Sequence, residues 1–148
     1  FNVPALGFIL GDEGSGANLG KRLVSDLLKN QLPADLKQAF FDEHNTSQAD
    51  IIDRVYRQPF PSRFLASFSP FLSRHREHPA VHQLLVKAFK SFIRRNVMQY
   101  QYNTLAMNCI GSVAHYYCNE ITEAANELGV SIGQIMKSPM EGLVAYHS

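Results

Sequence analysis

Hydrophobic positions fall into three regimes along the chain. The opening run Gly7-Phe8-Ile9-Leu10 is short and apolar and predicts a strand, which enters the turn Gly11-Asp12-Glu13-Gly14-Ser15. Leu19, Leu23, Val24, Leu27 and Leu28 then recur at helical spacing and predict a helix that Leu32-Pro33 ends. Ser47 and Asp50 suit the start of a further helix after Asn45-Thr46, and Pro59, Pro61, Pro70 and Pro79 divide the helical middle that follows. Val81, Leu84, Leu85, Ala88, Phe89, Phe92 and Ile93 predict one long helix from Ala80 to about Tyr100.

The last third changes character. Thr104 to Ile110 is a compact apolar run closed by Gly111-Ser112, which predicts a buried strand. Val113 to Leu128 reads as a helix stopped by Gly129, Val130 to Met136 as another strand, and Pro139 as the opening of a short terminal helix. Strand, helix, strand, helix in that order predicts a parallel α/β unit.

With 148 residues the chain is long enough for one core, and the expectation is one domain over 1–148. It begins at Phe1, without an initiator methionine, and reads as a piece of a longer protein. A hydrophobic content of 45% and a charged content of 18% predict a folded chain, and a net charge of +1 argues against a globally basic nucleic-acid binder. Its apolar runs fall short of the roughly 20 residues of a membrane span, so no membrane partner is expected. Cys109 and Cys118 make no disulfide framework and suit a reducing cytoplasm.

Glycine marks the candidate chemistry. Five of the nine glycines lie at 7, 11, 14, 16 and 20, and none lies between Lys21 and Ile110. The segment Gly11 to Gly16 leaves a strand and enters a helix, where free N–H groups and the helix dipole favour anions, and Asp12 and Glu13 offer carboxylates to sugar hydroxyls or a metal. The plainer alternative is a tight turn with a capped helix. The spacing fails the Walker phosphate loop, because three residues rather than four separate Gly16 from Gly20 and Arg22 stands where Ser or Thr is required. Gly111-Ser112 is a second strand-to-helix junction, open either to a ligand at a strand's carboxyl end or to plain architecture.

His75, His78 and His82 have helix-like spacing, but Pro79 interrupts them and Arg74 and Arg76 would repel a cation, so no metal site is expected and a solvated surface is. From Arg54 to Arg95 nine Lys or Arg stand against the single acid Glu77, interleaved with Phe60, Phe64, Phe68, Phe71, Phe89 and Phe92. That mixture suits single-stranded nucleic acid, but amphipathic helices with Phe inside and Arg outside explain it as well and are the expectation, so no nucleic-acid partner is assigned. Self-association into a homodimer through this Phe-rich middle stays open.

Gly7-Phe8-Ile9-Leu10-Gly11-Asp12-Glu13-Gly14-Ser15-Gly16 resembles a motif of N-acetylglucosamine kinase-like proteins, which are grouped with the benzoyl-CoA reductase activator ATPases in the actin-like sugar kinase superfamily. Asn108-Cys109-Ile110-Gly111-Ser112-Val113-Ala114 is similar to that superfamily's adenosine motif, and Ile135 to Leu143 to the family's C-terminal end. Arg54-Val55-Tyr56-Arg57-Gln58-Pro59-Phe60 resembles the Bacteroidetes-type branch.

The resemblance implies an α/β fold, the C-terminal lobe of a ribonuclease-H-like ATPase, with a small sheet and a large helical insertion. It implies ATP and Mg2+ as cofactors and an amino sugar such as N-acetylglucosamine as substrate. The catalytic base and the phosphate loops would lie in parts of the fold that this chain lacks, so the chain alone is expected to be inactive. Carried over by position, Asp12 would bind sugar hydroxyls, the backbone around Ala5, Leu6 and Gly7 would line the same pocket, and Gly111, Ser112 and His115 would adjoin the adenosine. Better-known relatives have glycine, glycine, tryptophan, glycine where this chain has Pro4-Ala5-Leu6-Gly7, which removes an aromatic surface for the sugar. Two other readings stay open: an activator-type ATPase acting on a partner protein, although the cysteine pattern lacks the cluster ligands those activators carry, and a non-catalytic binding module using the basic helices.

Overall fold

The computed structural model describes residues 6–9, 16–57, 61–96, 106–110 and 112–136. Three strands, β1 (Leu6–Ile9), β2 (Ala106–Ile110) and β3 (Ser131–Met136), form a parallel sheet in the order β1-β2-β3. The helices are α1 (Gly16–Leu28), α2 (Ala34–His44), α3 (Gln48–Tyr56), α4 (Pro61–Ala66), α5 (Ser69–Arg74), α6 (Pro79–Asn96), α7 (Ser112–Tyr116) and α8 (Cys118–Leu128). The expected helix at Pro139 lies outside the described residues. Among the described residues no helix is long and apolar enough to cross a membrane.

The chain divides into two compact units, Phe1–Ser15 with Leu85–Ser148, and Gly16–Leu84. The first holds the sheet. Parallel strands need a crossover connection, and here α7 and α8 supply it between β2 and β3, with both helices packed against β3. Ala114, Tyr117, Ile121, Ala124, Ala125 and Val130 are buried there, and the Tyr117 ring lies 6.0 Å from that of Phe89. The single helix predicted over 113–128 is instead two, broken at Tyr117, while Gly129 takes the left-handed conformation (φ 74°) that ends α8. The ladder between β2 and β3 slips between Met107 and Cys109, where β3 carries an extra residue.

The second unit is helical. Leu19, Leu23, Val24 and Leu27 of α1 are buried as the stripe requires. This helix stops earlier than Leu32-Pro33: Asn30 turns left-handed (φ 56°) and the Gln31 N–H reaches back to the Asp26 carbonyl at 2.8 Å. Ser47 caps α3 as predicted, its hydroxyl accepting from the Asp50 N–H at 3.2 Å. The helix α2 has no counterpart in the sequence expectations. It contributes Leu36 and Phe40 to the core, and the Phe40 ring lies 5.0 Å from that of Phe68 and 5.3 Å from that of Phe71. Phe68 and Phe71 here, like Phe89 and Phe92 in the first unit, are buried, so these four phenylalanines of the basic stretch are core residues, and Arg54 lies over the ring of the half-buried Phe64.

Two glycines of the opening cluster act in packing. A Cβ on Gly20 would stand 1.9 Å from the Leu65 carbonyl oxygen, and one on Gly16 would stand 3.0 Å from the Ser69 hydroxyl. Glycine at both positions lets α1 approach α4 and α5 more closely than a side chain would permit. Gly20→Ala should therefore destabilise the fold by about 1–3 kcal/mol, because the obstacle is backbone and cannot rotate away; urea unfolding would measure it, and an unchanged midpoint would refute the contact.

The histidine segment is tied to α2 by charge. Glu43 accepts from Arg74 Nε at 2.8 Å and pairs with His75, and Asp35 pairs with His78 at 3.0 Å. Among the described residues there is no group of three or more potential ligands that suits a metal. Hydrogen bonds from His78 and His75, respectively, hold the carboxyls of Asp35 and Glu43 below their ordinary values of 3.8 and 4.5. A lowered carboxylate pKa contributes stability that is complete above the unfolded value and is lost as pH falls through the folded value. Glu43→Gln should flatten the decline in melting temperature between about pH 5 and pH 3, and melts that fall equally in both proteins would reject the assignment.

Candidate functional site at the sheet's carboxyl edge

The sheet register sets the geometry. Leu6 stands opposite Met107, Gly7 opposite Asn108, Phe8 opposite Cys109 and Ile9 opposite Ile110, while Ile110 stands opposite Met136. The three strands run parallel and end level with one another. The chain therefore leaves the sheet at one edge three times: after Ile9 toward Gly11–Ser15, after Ile110 through Gly111 into α7, and after Met136 toward the closing segment. The carboxyl edge of a parallel sheet is where α/β proteins bind ligands, because loops there are free of the ladder and helix N-termini point back toward it.

Of the predicted site residues, Leu6 and Gly7 lie in β1, Ser112 is the first residue of α7, and His115 is exposed on the same short helix. Leu6 and Gly7 pair directly with β2, so the sheet brings the start of the first motif beside the second. Ala5, Asp12 and Gly111 lie outside the described residues. Ser112 and His115 are three apart on one helix, which puts them on neighbouring positions of one face.

Two further features of this region have no place among the sequence-based expectations. Tyr116 is an aromatic side chain left 48% exposed beside His115. Glu120 is the one buried charged residue among the described ones, at 3% exposure. Its signal is present in the sequence: Glu120 sits on the buried stripe of Tyr117, Ile121, Ala124 and Ala125, where a carboxylate breaks the apolar pattern. Cys118 is a free thiol, half-buried at the start of α8.

Comparison with solved structures adds a strong likeness. The chain is similar to a crystal structure from Porphyromonas gingivalis described as that of a "putative N-acetylglucosamine kinase". The two are 48% identical and superpose with a TM-score of 0.80 over 99% of this chain. This chain spans only 52% of the length of that one. No protein-family model and no curated protein matches the sequence.

Proposed function

We propose that this chain is most of the C-terminal lobe of an ATP-dependent sugar kinase of the N-acetylglucosamine kinase-like type, acting in the cytoplasm on N-acetylglucosamine or a related amino sugar. The observation that carries this reading is the likeness to the Porphyromonas protein at 48% identity over 99% of the chain. The common carboxyl edge from which all three motif segments leave the sheet supports it. The ribonuclease-H-like lobe and the link to the activator ATPases belong to the same proposal.

In this reading Asp12 accepts hydrogen bonds from sugar hydroxyls, the backbone at Ala5, Leu6 and Gly7 lines the sugar pocket, and Gly111, Ser112 and His115 adjoin the adenosine. A small residue between β2 and α7 fits that role, since a nucleoside must approach backbone there. ATP supplies the phosphoryl group, and Mg2+ enters with its phosphates. Proton abstraction from the sugar hydroxyl needs a carboxylate within hydrogen-bond reach, which the proposal assigns to the other lobe. The 148-residue chain alone then has no kinase activity.

The test is ADP release from Mg-ATP by the full-length protein, without sugar and then with N-acetylglucosamine, glucosamine, glucose and muramic-acid derivatives. Release that depends on one sugar establishes the kinase and its substrate. Sugar-independent release moves the reading to an ATPase with a protein partner. Gly111→Val should weaken ATP binding about tenfold or more by crowding the nucleoside, at little cost to sugar affinity; calorimetric titration showing unchanged ATP affinity would remove Gly111 from the site.

A further inference from the structure

His78 stands immediately before α6, with Pro79 as that helix's first residue. Its carbonyl accepts the first helical bond, from the His82 N–H at 2.9 Å. Its ring Nδ1 lies 3.1 Å from the Ala80 backbone nitrogen, and its Nε2 lies 3.0 Å from Asp35 Oδ2. The Ala80 N–H can only donate, so Nδ1 must be the bare, accepting nitrogen. Nε2 then carries the proton and donates to Asp35. The ring is thus a neutral imidazole doing what Ser, Thr, Asp or Asn does at other helix starts.

We propose that His78 is a pH-sensitive cap of α6, closing the helix's first turn when neutral and releasing it when protonated. Protonation occurs at Nδ1, because Nε2 is already occupied. Both ring nitrogens are then donors, so the Ala80 N–H faces a donor and loses its partner. The new positive charge also stands at a helix N-terminus, where the macrodipole opposes it. Asp35 on α2 acts in the same direction, since it attracts the imidazolium and holds the ring once it turns from Ala80. Along the chain the nearby charged or titratable residues are Arg74, His75, Arg76, Glu77 and His82. Of these, His75 is engaged by Glu43 of α2, which also takes Arg74. Unlike the Ser, Thr or Asn of other helix starts, a histidine can gain a proton and with it lose its accepting nitrogen. Within the segment of His75, His78 and His82, expected as a solvated surface, His78 caps α6 and His75 pairs with Glu43.

The test is amide hydrogen exchange in the full-length protein, corrected for intrinsic chemical rates, with His78 Nδ1 followed by nitrogen-15 chemical shift. Protection of the Ala80 amide should fall about fivefold between pH 8 and pH 5, in step with protonation of Nδ1. His78→Asn keeps a capping oxygen that does not titrate and should make that protection independent of pH. Asp35→Asn should move the release to lower pH, because the imidazolium loses its carboxylate. The proposal is overturned if wild type and His78→Asn share one pH profile. Should His78→Asn not fold, the wild-type ring decides alone: a proton on Nδ1 at pH 8 overturns the proposal, and a bare Nδ1 that protonates as Ala80 loses protection upholds it.

Discussion

On the proposed kinase reading, Asp12→Asn in the full-length protein should lower sugar-dependent kcat/KM by about 10- to 100-fold while leaving the fold intact. The size follows from the bond it removes. A carboxylate accepting from a sugar hydroxyl makes a charge-assisted hydrogen bond of about 1.5–3 kcal/mol, and an amide of the same shape keeps the geometry but not the charge. If Asp12 only binds the sugar, KM should rise while kcat stays unchanged, because the interaction is present equally before and during phosphoryl transfer. A collapse of kcat alone would instead make Asp12 a participant in proton transfer. Unchanged kinetics would reduce the segment from Gly11 to Gly16 to a turn, and the case for a sugar site would then rest on sequence likeness alone.

Much of the architecture is legible in the order of residues alone. β1, β2 and β3 fall within a residue or two of the expected apolar runs, and α6 buries all seven positions of its predicted stripe. Those features are local: a period of 3.6 or a short apolar run between glycines is visible in the sequence itself. Long-range contacts leave no such trace. Gly20 stands inside the predicted first helix without a visible reason, and its purpose emerges only when Leu65, 45 positions along the chain, presents its carbonyl oxygen to α1. The partners of His75 and His78 are carboxylates on α2, 32 and 43 residues away, so spacing among the histidines carries no sign of them.

The site divides in the same way. Its motifs are legible as residue types, glycines and a carboxylate at strand-to-helix junctions. The pairing of Gly7 with Asn108, which sets the start of the first motif beside the second, is not, because it depends on the register of β1 against β2. A parallel register is set by the whole sheet and its crossover helices and by no local signal. In the proposed reading, the likeness to a protein of which this chain spans 52% accounts for motifs for a sugar and a nucleotide without a phosphate loop or a base.

Phe40→Ala should cost about 3–5 kcal/mol, a large share of the roughly 5–15 kcal/mol that holds a domain together. Phe40 comes from α2, the helix whose pattern is least evident in the sequence, since only Leu36 and Phe40 of its 11 residues are buried. Yet its ring is fully buried among other rings: Phe41 edge-on at 5.7 Å, His44 at 4.4 Å, Phe68 at 5.0 Å and Phe71 at 5.3 Å. The aromatic neighbours come from α2 itself and from the α4–α5 corner, so removing the ring opens a cavity that two segments would have to close together. Such a void is not relieved by one side chain turning inward. Phe40→Leu should recover more than half of the loss, because it restores volume without the ring contacts. Urea unfolding of the two variants separates the contributions: the Ala-to-Leu difference measures filled space, and what Leu leaves unrecovered measures the ring geometry. If Phe40→Ala unfolded within about 1 kcal/mol of wild type, α2 would be an ornament on the helical unit, and its carboxylate contacts to His75 and His78 would have nothing rigid to hold.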